Sequence, residues 1–221
     1  MQGFSYLRNL LPGLLILLSI PAFVHSQDKP PETPPVVASA PVSYGFVVDN
    51  SGSFRLLLES VIAFVKNVSA ENAPDDEAFL VRFSSSEKIT MEQDLTASKA
   101  EITDGAESMY VEGGQKAIID AVNFSGKHLI ENGRKEEGRS KILILITDGD
   151  ERLSVSKLDD TIQLLKEGKI RVFAVAVAEL KPQTKILERL SRETGGRLFI
   201  MKSQSELRTV AKEVAVAMRK P

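Results

Sequence analysis

The chain of 221 residues contains no cysteine, so disulfides, thiolate nucleophiles and thiolate metal sites are excluded. It has two histidines, His25 and His128. His25 falls in the leader-like start and His128 inside a helical stretch, so neither stands beside a serine as a triad would require. The formal net charge is −2, which argues against generic affinity for nucleic acid or an anionic membrane. No G-x-G-x-x-G or Walker spacing is present, so Gly113-Gly114 reads as a loop entering a helix and not as a phosphate cradle. Arg134–Arg139 mixes Arg134 and Lys135 with Glu136 and Glu137, the composition of a solvated loop.

What the chain does contain falls into three parts. Residues 1–26 carry one charge, Arg8, ahead of an apolar run broken by Pro12, Gly13 and Ser19, which suits a signal peptide. The expected location is therefore exported, periplasmic or extracellular; an uncleaved membrane anchor is the alternative, and no span is expected beyond that segment. Residues 27–41 hold five of the ten prolines and read as an extended linker. Residues 42–221 are long enough for one domain with a sizeable core.

Within that domain strands and helices alternate. Buried strands are expected at Tyr44–Val48, Ala78–Phe83, Lys141–Ile146, Arg171–Ala178 and Arg197–Met201, with a short arm at Glu87–Thr90. Helices are expected over Phe54–Ser69, Ser98–Thr103, Gly113 to Asn132, Val155–Glu167 closed by Gly168, Pro182–Glu193 and Ser205–Arg219. This alternation predicts a three-layer α/β fold, a doubly wound and mostly parallel sheet with helices on both faces. Lys141–Ile146, the most apolar run, is the expected central strand.

The chemistry concentrates where two apolar strands end. Asp49-Asn50-Ser51-Gly52-Ser53 follows the first, and Thr147-Asp148-Gly149-Asp150 follows the central one. In a parallel sheet both loops leave from the same edge, where such folds place ligands. Oxygen-bearing side chains two residues apart on a tight turn suit a hard cation. The plainer reading is that Asp49 and Ser51 cap the following helix. Asp104, Asp120 and Asp150 read as surface charges or caps.

The arrangement resembles the von Willebrand factor A domain, in which Asp-x-Ser-x-Ser, a threonine and an aspartate from three loops bind one divalent cation. Asp49, Ser51 and Ser53 match the first element and Asp148 the last. The middle element departs: Gly113-Gly114-Gln115-Lys116-Ala117 places Lys116 where the family has threonine. With Ser191–Ile200 and the closing helix, the resemblance covers residues 42–219 and is nearest to the exported Acidobacterial relatives of the family. It implies a protein-binding module whose partner would meet Asn50, Gly114, Gln115, Lys116 and Asp150.

A lysine offers donors and positive charge where the metal needs an acceptor oxygen. In one reading its ammonium sits between Asp49 and Asp148 and replaces the ion, leaving a degenerate site. In the other it points to solvent, and Asp49, Ser51, Ser53 and Asp148 hold Mg²⁺ or Mn²⁺ with waters filling the gap. A metal-dependent hydrolase is a further alternative. A phospho-aspartate enzyme is disfavoured, because Ser51 stands where that class carries its second acid. The expectation is a non-enzymatic binder of a protein partner through the degenerate site.

Overall fold

In a computed structural model of the chain, residues 40–177 and 181–220 are described. The expected signal peptide, nearly all of the linker and Ala178 lie outside the described residues. Six strands form one sheet: β1 Val42–Asp49, β2 Glu77–Ser85, β3 Lys88–Thr96, β4 Ser140–Thr147, β5 Ile170–Val177 and β6 Arg197–Met201. Their order is β3-β2-β1-β4-β5-β6, all pairs parallel except the antiparallel β2–β3 edge. The mostly parallel α/β expectation is met, with β1 and β4 side by side at the centre.

Strict alternation along these strands feeds two cores. Tyr44, Phe46, Val48, Ile142, Ile144 and Ile146 point to one face, beneath α1 Leu58–Ala70, α2 Lys99–Glu107 and α6 Leu207–Met218. Val47, Phe79, Val81, Leu143 and Leu145 point to the other, beneath α3 Ile118–Asn132, α4 Leu158–Glu167 and α5 Lys185–Glu193. Strands covered on both faces must be apolar at every position, which is why they read as continuous runs.

Several helix starts are later than the periodicity predicts, and two of the displaced stretches share a use. Residues Gly52–Phe54 form a 3₁₀ turn before α1, and buried Phe54 extends the apolar spacing backwards without joining the α-helix. Gly113–Lys116 are loop, not helix: the Lys116 carbonyl accepts from the backbone of Arg152 and Leu153, both 3.1 Å, in the loop after β4. Residues 182–184 precede α5, and the Gln183 amide donates to the Asp148 carbonyl at 2.8 Å. In the last two cases, backbone that periodicity assigns to a helix is spent bracing loops at one sheet edge. The hairpin arm, expected over four residues, extends to Thr96 as β3.

Candidate functional site

Parallel pairing puts Val48 opposite Ile146, so the chain leaves β1 and β4 at adjacent points of one edge. Asp49 is fully buried there. Its Oδ1 accepts from the Ser51 amide at 3.0 Å and its Oδ2 from the Thr147 hydroxyl at 2.8 Å. Burial pushes the Asp49 carboxyl above the usual carboxylate range, against the opposing pull of the Ser51 hydrogen bonds, the Lys116 charge and Thr147.

Asp148 lies beyond Asp49 toward solvent. Its Oδ2 accepts from the Ser53 hydroxyl at 3.0 Å and its Oδ1 from the Asp150 amide at 3.0 Å. The Ser53–Asp148 bond joins the two loops directly, and Ser51 Oγ lies 3.4 Å from Ser53 Oγ within the first of them. The Lys116 ammonium pairs with Asp148 Oδ2, and its side chain is 8 % exposed. A cavity of about 290 Å³ opens above this pair, bounded by Ser51, Ser53, Gln115, Asp150 and Arg152. Ser53, Gly114 and Gln115 are exposed on its rim. Asp150 accepts from Arg152 Nε at 2.8 Å and Gln183 Nε2 at 3.0 Å; the Arg152 guanidinium holds its carboxyl below the usual range.

The helix-cap reading of Asp49 and Ser51 does not hold. Asp49 serves Ser51 and Thr147, and neither the 3₁₀ turn nor α1 has a side-chain cap. Asn50, expected to face a partner, is fully buried. Its Nδ2 donates to the Tyr110 carbonyl at 2.9 Å, and its own carbonyl accepts from the Glu112 amide at 2.9 Å. It therefore fastens the Lys116 loop to the end of β1.

That loop has further anchors invisible in sequence. Arg82 on β2, 8 % exposed, pairs with Glu92 and with Glu112 at 2.7 Å, and its guanidinium lies 4.5 Å from the Tyr110 ring centroid. Asp120, expected to be a surface charge or a cap, is buried and accepts from Ser86 Oγ at 2.5 Å and from the amides of Val155 and Ser156 at 2.8 and 2.7 Å. Burial raises its pKa, but the Ser86 and Ser156 hydrogen bonds outweigh it and hold the carboxyl below the usual range. Glu151 and Ser154 accept from the free amides of Ile119 and Asp120 at the start of α3, at 3.0 and 3.2 Å. These partners come from other elements, so no local spacing announces them. Thr147 was legible only as part of its motif.

The remaining candidates stand apart from the site. His128 lies on α3, its ring edge-on to Phe79 and its Nε2 2.9 Å from Asp94 Oδ1. Asp104 is exposed on α2. Among the described residues no group of three or more His, Cys, Asp or Glu is placed to hold a metal ion.

Residues 45–213 match the profile of the von Willebrand factor type A domain. No curated protein sequence matches the chain. Among solved structures, a von Willebrand factor type A protein from Catenulispora acidiphila superposes with a TM-score of 0.69 at 18 % identity, over 82 % of this chain and 43 % of that one. The present chain thus spans less than half the length of that relative. An aerotolerance-related membrane protein from Bacteroides fragilis gives 0.66 at 14 % identity, and the conserved hypothetical protein BatB from Bacteroides thetaiotaomicron 0.64 at 15 %. Both alignments cover 82 % of this chain and all of the other. At these identities the likenesses carry the fold alone.

Proposed function

The chain belongs to the von Willebrand factor type A domain family, and from that premise we propose that it is an exported protein-binding module whose metal-ion-dependent adhesion site is degenerate. In this reading the Lys116 ammonium supplies the positive charge that a divalent cation supplies elsewhere in the family. Its nearer kin would be the exported Acidobacterial branch.

One observation carries the reading: the buried pairing of Lys116 with Asp148. The donor set fits a cation poorly. Both Asp49 oxygens already accept hydrogen bonds from within the site, and the outer Asp148 oxygen is shared between Ser53 and Lys116. A dication held about 4 Å from an ammonium would be opposed by about 2–8 kcal/mol at effective dielectric constants of about 80 to 20. Mg²⁺ bound through one or two carboxylates has little affinity to lose.

The partner surface is then the rim, with exposed Gln115 and Gly114 around Lys116 and Asp150. A partner carboxylate would meet the ammonium directly, without a bridging ion. Catalysis is not part of the proposal, since Ser51 and Ser53 have no histidine partner and His128 sits beside Asp94 instead.

Titration calorimetry with Mg²⁺ and with Mn²⁺, on this chain and on Lys116→Thr, tests the reading. The expected result is no heat of binding for the parent and saturable binding for the variant. Binding by the parent that the threonine does not improve would favour the alternative, a working cation site of Asp49, Ser51, Ser53 and Asp148.

A further inference from the structure

The opposite rim of the domain carries a second feature that the adhesion-type site does not use. A groove of about 700 Å³ runs between α6 and the amino-terminal ends of β5 and β6. Five cations line it, Arg171, Arg197, Arg208, Lys212 and Lys220, against the single acid Glu213. Among the described residues none of the five has a carboxylate within ion-pair distance, whereas Arg82, Lys116, Arg189 and Arg219 are all paired. This uncompensated charge sits on a chain whose net charge is −2.

The groove is not merely a charged surface. Its wall includes Phe173, Ala217 and Val216, the last 49 % exposed on α6. Arg171 lies 5.5 Å from the Phe173 ring centroid and Arg197 4.8 Å from that of Phe199, the two rings being 6.1 Å apart and edge-on. Arg171 is also fixed by donating to the carbonyls of Lys220 and Met218 at 2.6 and 3.1 Å. Stacked and tethered guanidinium groups are preorganised, so less entropy is lost when they meet an anion.

We propose that this groove binds an acidic polypeptide segment that inserts one apolar side chain between α6 and β6. Charge complementarity selects the acid, and the aromatic and aliphatic wall selects the apolar anchor. A lipid headgroup layer and a sulfated glycan match the charge, but neither has a single apolar side chain to seat against Phe173 and Val216. β6 is the outer strand of the sheet, so an extended chain beside it also meets unpaired backbone groups. The groove and the Lys116 site occupy opposite ends of the strands, so the domain holds two ligands independently.

The probe is a labelled pool of short peptides, acidic at every position but one, that one being phenylalanine or leucine. Fluorescence anisotropy with the whole chain should show saturable binding that weakens as salt rises. Arg208 and Lys212 are exposed and have no ion-pair partner among the described residues, so Arg208→Glu with Lys212→Glu should preserve folding while lowering affinity at least about tenfold. Val216→Asn should weaken the phenylalanine peptides and leave polyglutamate unchanged. Lys116→Thr and EDTA should leave binding untouched, which separates failure here from failure of the metal-site reading. The proposal is overturned if the pool fails to bind, if charge reversal has no effect, or if polyglutamate, heparin or anionic vesicles compete as well as the anchored peptides.

Discussion

Replacing Lys116 by threonine should trade an internal ion pair for a metal requirement, and the magnitudes can be worked from the site. Breaking a buried ion pair costs about 3–5 kcal/mol, because one charge is left uncompensated. Lys116 and Asp148 are 8 % and 15 % exposed, and Asp148 keeps its bonds from Ser53 and the Asp150 amide. The cost here should therefore sit lower, at about 2–3 kcal/mol. For a domain of this length that is a fall in Tm of about 4–12 °C. Threonine restores an acceptor oxygen and removes the repulsion, so a cation at a hundred times its Kd should return about 2.7 kcal/mol. The assay is thermal unfolding of parent, Lys116→Thr and Lys116→Met, each in EDTA and in excess Mg²⁺. The parent should be flat across the two conditions. Both variants should be destabilised in EDTA, and only the threonine variant should recover with the ion. A parent whose Tm rises with Mg²⁺ as much as that of Lys116→Thr refutes the displacement argument. So does a threonine variant that melts with the parent in EDTA, since the pair would then carry no stability.

Three other perturbations probe what holds the site. Arg82→Lys should lose about 2–4 kcal/mol in urea unfolding, because an ammonium cannot serve Glu92, Glu112 and the Tyr110 ring together; stability within about 0.5 kcal/mol of the parent would count against the clamp. Gly149→Ala should cost about 2 kcal/mol or more, since φ is +82° and a Cβ would lie 1.9 Å from the Gln183 carbonyl oxygen, while Gly52→Ala, with open space around it, should be near neutral. Asp120 titrates below the usual carboxylate range in the folded chain, so its stabilisation is complete above about pH 4 and is lost as pH falls through the depressed value. Urea unfolding from pH 6 down to pH 2 should therefore show a steeper loss for the parent than for Asp120→Asn; parallel curves would refute the assignment.

Much of the fold is legible in the sequence because burial on both faces leaves an unmistakable trace. Runs such as Lys141–Ile146 and Arg171–Val177 admit no exposed face, and their alternation with helical spacing fixes a parallel sheet. That topology alone brings Asp49 and Asp148 to one edge, since both follow parallel strands. Apolar spacing runs past the true start of α1 because Phe54 is buried in a 3₁₀ turn, and Gly113–Lys116 is loop because Arg152 and Leu153 claim the Lys116 carbonyl.

By itself, then, the sequence determined the layered sheet, the rim where the two acidic loops meet, and the lysine set among them. Only the tertiary structure decided that Lys116 turns inward to Asp148, that Asn50 is a buried fastening, and that Arg82, Asp120 and Glu151 brace the loops. Only it collected cations from β5, β6 and α6 into one groove. The physical reason is the same throughout. Periodic burial is written locally along the chain, whereas a hydrogen-bond partner or an uncompensated charge is defined by residues that meet only when the sheet assembles.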